Sequence, residues 1–428
     1  MPQLVFLTLF LGLSSGKATV SLQADASIAT IRLELDSRVV ATIDHAPWSA
    51  DVDFGPELMP QRLTAVGLDA RGKEIARASQ DVNLPRDVAE VEILVKSEKG
   101  HPSRAALIAS SRKHAEPAES QLSLDGNRLP LGTDFSAPLP ATDWSRPHVL
   151  TAEMTFRDGE TARGETIVSG GIGQTVTSDL TPVLVTRSRR GDPKSLDGCF
   201  TIDGAEIRGN SLEQGNPLVI LVKNPGSKSP WRFPSDREYP LDPDTSSRIL
   251  WVIPQQYTAK DEPTYSLFAP TSDFSATRFG VGWLLTRSLK PVPDGPRQFA
   301  DAVGVAGLAA YQSGRRRAVV LLLDNTSDLS LHSPAVIQRY LARLGVPLFV
   351  WSIGKLSPRG WGNVVDITSR ASLATAVDAV KDALKAQSVV WVAADPLATL
   401  RIQGNDRCGL RPLAAPVTKP DENRRPAS

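Results

Sequence analysis

Nonpolar and polar residues alternate through the first part of the chain. Ile31, Leu33 and Leu35 are interleaved with Arg32 and Glu34, the two-residue period of a strand with one buried face. Asp36-Ser37 reads as a turn, and Val39 to Ile43 as a second run. Leu63–Leu68 and Glu74–Ala78 flank Asp69-Ala70-Arg71-Gly72, a hairpin signal whose glycine can adopt positive φ. With short strands, frequent turns and no 3.6-residue period, 19–87 is expected to be a small immunoglobulin-like β-sandwich.

The next segment repeats this plan. Leu63-Thr64-Ala65 returns 87 positions later as Leu150-Thr151-Ala152, and Gly72 returns as Gly159. Leu35-Asp36 has a counterpart in Leu124-Asp125, and Asp53-Phe54 in Asp143-Trp144. A repeat of this length fits a second sandwich over 88–175 better than a solenoid. Gly170-Gly171-Ile172-Gly173 reads as linker.

Beyond Arg248 the pattern changes. Ile249–Ile253, Ala318–Leu323 and Val346–Trp351 are continuous apolar runs, as in strands covered on both faces. Phe299, Ala302, Val303, Ala306 and Ala310 form a helical stripe ending near Gly314. Ser333-Pro334 supplies an N-cap and a first-turn proline to a helix lined by Ile337, Tyr340, Leu341 and Leu344. Strand, helix and strand at this spacing make a βαβ unit with parallel strands. A further helix is expected near 371–385, with Val389–Val392 and Thr399–Ile402 closing the same sheet. The fold class is therefore multi-domain β plus α/β. Two sandwiches precede a mostly parallel α/β domain over 176–412 that carries a leading β segment. The Pro- and charge-rich 413–428 is expected to be a disordered tail.

Leu4–Leu13 is a short apolar run followed by Gly16 and Ala18. It is too short to span a bilayer, which takes about 20 residues, and reads as a signal peptide over 1–18 that sends the chain to a secreted or periplasmic location. No later stretch predicts membrane insertion. In an oxidising compartment the two cysteines, Cys199 and Cys408, suggest one disulfide; in the cytosol they would be two buried thiols. The 48 basic residues nearly cancel the 47 acidic ones, which argues against nucleic acid as a partner. The basic run Arg315-Arg316-Arg317 reads as a solvated entry into a buried strand.

The segment 315–354, with its Leu-Leu-Leu-Asp-Asn strand end, capped helix and Leu-Gly-Val-Pro-Leu-Phe-Val-Trp strand, resembles the von Willebrand factor A fold. Phe299-Ala300-Asp301-Ala302-Val303, Gln387–Val392, Ala46-Pro47-Trp48 and Asn83-Leu84-Pro85 are similar to a looser group, bacterial secreted proteins related to that domain. Metal-binding members of the fold carry Asp-x-Ser-x-Ser after the first strand, with a Thr and a further Asp from other loops, an oxygen-rich set suited to Mg²⁺. Here the expected first strand ends Ile253-Pro254-Gln255-Gln256, and the expected Thr loop reads Gly295-Pro296-Arg297-Gln298. Asp324 alone stands in register, with Asp328 close behind it. The resemblance implies a protein-binding or scaffold domain with a degenerate metal motif, and no cofactor is expected.

No nucleophile elbow, His-x-x-x-His or Cys-x-x-Cys is present, so the reading is non-catalytic, with no assigned catalytic or cofactor-binding residue. His332, just before a helix, reads as a capping or solvent residue. Two alternatives keep a chemical role for the strand ends: a hydrolase built from loops near Asp324, or metal-dependent adhesion through unconventional ligands, with Asp324 and Asp328 as candidates. Trp231 and Trp361 lie in Pro- or Gly-flanked loops and are candidates for contact with a protein partner.

Overall fold

The computed structural model describes residues 4–8, 10, 12–84, 89–98, 101–111, 117–144, 148–157, 161–168, 180–187, 195–213, 215–227, 238–257, 265–268, 274–275 and 280–414. The chain forms two compact units: residues 1–85 together with 180–428, and residues 86–179. It is mostly β, with sandwich sheets in its N-terminal part and a parallel sheet in its C-terminal part. The expected linker at 170–173 and the tail beyond Ala414 lie outside the described residues.

Seven strands build the first sandwich: β1 (Leu4–Phe6), β2 (Lys17–Ala24), β3 (Thr30–Leu35), β4 (Arg38–Ile43), β5 (Ser49–Asp53), β6 (Gln61–Leu68) and β7 (Glu74–Val82). One sheet runs β1-β2-β5 and the other β4-β3-β6-β7. Ile31, Leu33, Leu35 and Leu63 are all buried, as the alternation requires. Residues 86–179 repeat the plan with β8 (Ala89–Glu98), β9 (His101–Ser111), β10 (Pro117–Leu124), β11 (Asn127–Leu129), β12 (Ser136–Pro138), β13 (His148–Phe156) and β14 (Thr161–Val168). Their sheets run β12-β9-β8 and β11-β10-β13-β14, strand for strand the same topology. The repeat reaches individual pairs. Leu35 lies opposite Leu63, and Leu124 opposite Leu150. Asp36 and Asp125 both turn at positive φ, 49° and 48°.

The equivalence bears on the N-terminus. Leu4 and Phe6 stand 87 positions before Val91 and Ile93, and all four are buried in their sandwich cores. Phe10 joins the same core, edge-to-face with Phe54 at 4.9 Å. The run expected to be a leader forms a strand of the first sandwich in the folded chain. A cut after Ala18 would remove β1 and split β2.

The rest of the chain begins with β15 (Leu180–Arg187), β16 (Phe200–Ile202), β17 (Ala205–Ile207) and β18 (Gly209–Glu213). It continues through β19 (Leu218–Lys223), β20 (Ser246–Trp251), β21 (Gln255–Tyr257), β22 (Tyr265–Leu267), β23 (Phe274–Ser275), α1 (Val281–Thr286) and α2 (Phe299–Gln312). Then come β24 (Arg317–Leu323), α3 (Pro334–Arg343), β25 (Leu348–Ser352), β26 (Val365–Asp366) and α4 (Arg370–Ala386). The chain closes with β27 (Gln387–Ala393), α5 (Pro396–Thr399), β28 (Ile402–Gly404) and β29 (Leu410–Pro412).

The central sheet has the order β23-β20-β19-β24-β25-β26, parallel except for its edge strand β23. In β19 and β24 both faces are apolar. Leu218, Ile220, Val222, Val319 and Leu321 pack beneath α2 and α3, while Val219, Leu221, Val320 and Leu322 pack against α1 and α4. Burial on both sides explains the unbroken hydrophobic runs. Leu58 and Leu84 of the first sandwich enter the α2/α3 core, and the Tyr340 hydroxyl donates to the Asn83 carbonyl at 2.9 Å.

Three expectations are corrected here. The first strand of the parallel sheet is Leu218–Lys223, not Ile249–Ile253, which is its neighbour β20. Val389–Val392 does not close that sheet. It lies in an antiparallel sheet of order β18-β27-β15-β29, and Ile402–Gly404 joins a third sheet with β16 and β17. The α/β layer is therefore an insert between β18 and β27, whose flanks are clipped together by the Cys199–Cys408 disulfide. Finally, Arg317 is not solvated. It is 2% exposed, and its guanidinium donates to Tyr311 O and Leu344 O, both at 3.1 Å. These carbonyls end α2 and α3, where a cation offsets the helix dipoles. Burial still pushes the guanidinium down to about 10.

Candidate functional site

Strand order reverses between β19 and β24, the first strands of two crossovers that run in opposite directions. In such sheets the crevice at the carboxyl ends of these strands is where ligands gather. Asn224 follows β19 and Asp324 follows β24. The Asn224 amide Nδ2 donates to Asp324 Oδ2 at 2.8 Å and to Thr326 Oγ1 at 3.2 Å. Ser227 Oγ donates to the same Oδ2 at 2.8 Å, and the Thr326 backbone N–H to Oδ1 at 2.8 Å. Burial raises the affinity of the Asp324 carboxyl for its proton. The bonds from Thr326, Ser227 and Asn224 outweigh that effect and hold it below the usual carboxylate range. Arg359 ties the loop from outside, donating to Asn325 O at 3.2 Å and to Thr326 O at 2.5 Å.

The groups facing Asp324 include two N–H donors, the Asn224 amide and the Thr326 backbone, which a Mg²⁺ could not take as ligands, beside the hydroxyl oxygens of Ser227 and Thr326, which it could. Asn224 Oδ1 is itself engaged by the Gly226 N–H at 3.1 Å. Among the described residues, no three His, Cys, Asp or Glu side chains are grouped to hold a metal. Among the described side chains, the partners of the Asp324 carboxylate come from Asn224 and Ser227, not from Ile253-Pro254 or Gly295–Gln298, where the metal loops were expected. Their loop, Asn224–Ser227, follows β19, the actual first strand of the parallel sheet.

Asp328 does something else. Its carboxylate accepts from the Phe299 N–H at 2.9 Å and the Ala300 N–H at 3.2 Å, and Ser330 Oγ accepts from Ala300 N and Asp301 N. It caps the N-terminus of α2 from a distant loop, satisfying amides the helix cannot pair itself. The same loop is fixed at two more points. Leu329 N donates to Arg297 O at 2.7 Å, and Leu331 N to Asp301 Oδ2 at 2.8 Å. Its two leucines nevertheless face solvent, Leu329 at 60% and Leu331 at 88% exposure.

Trp361 is 3% exposed and belongs to the core under α2 and α3, which corrects its assignment as a partner contact; Trp231 lies outside the described residues. Lys223, at the end of β19, is fully buried. Its Nζ donates to Leu285 O at 2.6 Å and Arg287 O at 2.8 Å at the end of α1, and burial pushes it down to about 8.

His332 is the residue the sequence reading missed. Its Nδ1 lies 2.7 Å from Asp301 Oδ1 and its Nε2 3.0 Å from Ser15 Oγ. Its place before a capped helix gives no hint of a partner 317 positions away.

No helix of the described residues is long and apolar enough to cross a membrane. No family model matches the chain, and no curated protein matches it. Among solved structures it is similar to fibronectin(III)-like modules of Clostridium thermocellum CbhA, at 11% identity over 39% of this chain and 93% of that one, with a TM-score of 0.17. The central fibronectin-III array of RIM-binding protein matches at 10% identity over 48% and 83%, with a TM-score of 0.25. The Bacteroides ovatus SGBP-B in complex with a mixed-linkage heptasaccharide matches at 12% over 61% and 75%, with a TM-score of 0.15. Likenesses this distant carry no argument about function.

Proposed function

We propose that this is an exported protein-binding scaffold whose α/β layer is a metal-free von Willebrand factor A-like domain, with its binding surface on the Asp324–Ser333 loop. The sheet order with an antiparallel edge strand, and the position of Asp324 at the reversal point, support the family reading. The donor-rich surroundings of Asp324 support a site without metal, used for binding and not catalysis. Export is supported by the disulfide, since such bonds persist in oxidising compartments.

The observation that carries the reading is Leu331. A leucine held in solvent by a loop pinned to Asp301 and Arg297 loses little further freedom on binding and offers apolar area to a partner. The test is a pull-down from the exported compartment with the full chain and with a Leu329→Asp/Leu331→Asp variant. A partner retained by the first and lost by the second is expected. Identical retention by both overturns the assignment of the surface.

A further inference from the structure

We propose that Ser15, His332 and Asp301 form an acyl-transfer triad that takes small esters, at the end of the binding loop, which supplies His332. Asp301 sits in the first turn of α2, 6% exposed, and the His332 side chain is 10% exposed. A carboxylate only accepts hydrogen bonds, so its 2.7 Å contact puts a proton on Nδ1, and in the neutral ring Nε2 is then the acceptor. Ser15 Oγ, at 3.0 Å, then donates to Nε2. This is the tautomer and order that make a serine hydroxyl nucleophilic, and such triads are recognised by geometry, not by sequence position. The three residues come from the segment before β2, the start of α2 and the loop before α3, so no contiguous motif announces them.

The second requirement is a donor for the oxyanion. Among the described residues the Ser15 backbone N–H has no hydrogen-bond partner, while the next amide, Gly16 N, is taken by Gly55 O at 2.6 Å. Each oxyanion donor is worth about 10²–10³ in rate, so a site with one is suited to activated or small esters and not to amides. Leu331, the exposed neighbour of His332, offers an apolar contact for the acyl chain.

In the forward step Ser15 Oγ bonds to the ester carbonyl carbon while its proton passes to Nε2. The carbon–oxygen bond to the alcohol then breaks, and the departing oxygen takes that proton. Water adds to the acyl-serine in the second half, giving a proton to Nε2. Collapse releases the acid and returns the proton to Ser15 Oγ.

The test is intact-mass analysis and peptide mapping of the full folded chain after exposure to an aryl fluorophosphonate. One adduct on Ser15 is expected, absent in Ser15→Ala and formed at least about 100-fold more slowly in His332→Gln, the loss typical of a missing general base. Hydrolysis of p-nitrophenyl acetate should fall in the same two variants. No adduct on Ser15 of the folded wild-type chain overturns the proposal, and that arm needs no variant to fold. Labelling of Ser15 at the same rate in folded His332→Gln overturns it too, because a hydrogen bond that only holds the N-terminal segment would not set the rate.

Discussion

The side-chain amide of Gln387 bonds the backbone of Arg317 twice, Nε2 donating to its carbonyl at 3.0 Å and Oε1 accepting from its N–H at 2.8 Å. A glutamine thereby takes the place of one more strand residue where the parallel sheet meets β27. Both atoms it pairs are buried, so Gln387→Ala strands a donor and an acceptor. Each unpaired buried group costs about 1–3 kcal/mol, so a loss of about 2–4 kcal/mol is expected in urea unfolding. A variant within 0.5 kcal/mol of wild type, roughly the level of a surface change, would mean the pairing does not hold the junction.

The second prediction concerns the N-terminal strand. Phe10 is buried against Phe54, and Phe10→Ala should cost about 3 kcal/mol, the usual loss for a core phenylalanine. N-terminal sequencing of the purified protein should find Leu4–Phe10 still attached. A chain beginning at Thr19 would show that the first sandwich folds without them.

Helix α2 meets α3 closely at Gly307, where an added Cβ would stand 2.7 Å from Leu341 Cδ1 and 2.9 Å from its Cγ. Gly307→Ala gains up to about 1 kcal/mol in helix propensity but overpacks a tight contact at about 1–3 kcal/mol. A net destabilisation is expected in thermal melts; a rise in melting temperature would show that α3 yields freely.

A pH dependence follows from His148 in the second sandwich. Its Nδ1 faces Asp125 Oδ2 at 2.6 Å and its Nε2 faces Asp143 O at 3.1 Å, so acceptors confront both ring nitrogens and the doubly protonated ring fits best. The Asp125 bond, then the Asp143 bond, raise its affinity for a proton above that of an ordinary histidine. A raised folded-state value means that the stabilisation is complete below about 6.5, the unfolded value, and is lost as pH climbs through the folded one. Denaturation midpoints should therefore fall across that window in wild type and fall less in His148→Gln. Equal slopes would exclude the pair as the cause. The partly exposed pair limits the effect to under about 1 kcal/mol.

Removing the disulfide closes the set. Cys199→Ala/Cys408→Ala frees a loop of 209 residues, for which chain entropy alone gives about 5 kcal/mol as an upper value. A drop of about 2–5 kcal/mol is expected, and thiol counting on exported wild type should find no free cysteine.

Legibility from sequence followed the range of the interactions. Local patterns were enough for the strands of both sandwiches, because alternation records one buried face, and the internal repeat matched the pairs Leu35/Leu63 and Leu124/Leu150. The capped helix after Ser333 was equally plain, with the Ser333 side chain accepting from Val336 N. Sheet membership was not. A strand buried on both faces has no period, so Leu218–Lys223, Ile249–Trp251 and Val389–Val392 look alike, and only distant pairing sends two of them to one sheet and the third to another. The misplaced first strand hid Asn224 and Ser227, the donors that meet Asp324. Leu4–Phe10 has the composition of a leader and of a buried strand alike; extending the 87-residue offset back to Val91 and Ile93 was the available signal. Arg317 was hidden because a charge at a strand entry is usually wet, and its burial depends on two helix ends meeting there.

The bond between Cys199 and Cys408 has a mechanical meaning. A pull applied to the two ends of the chain reaches one sulfur and leaves by the other. Residues 200–407, the α/β insert among them, then stand outside the path of the load. While the bond is intact, tension can stretch the sandwiches and the last twenty residues without drawing out the domain that holds Asp324 and Leu331. Reduction would place that domain in line with the force.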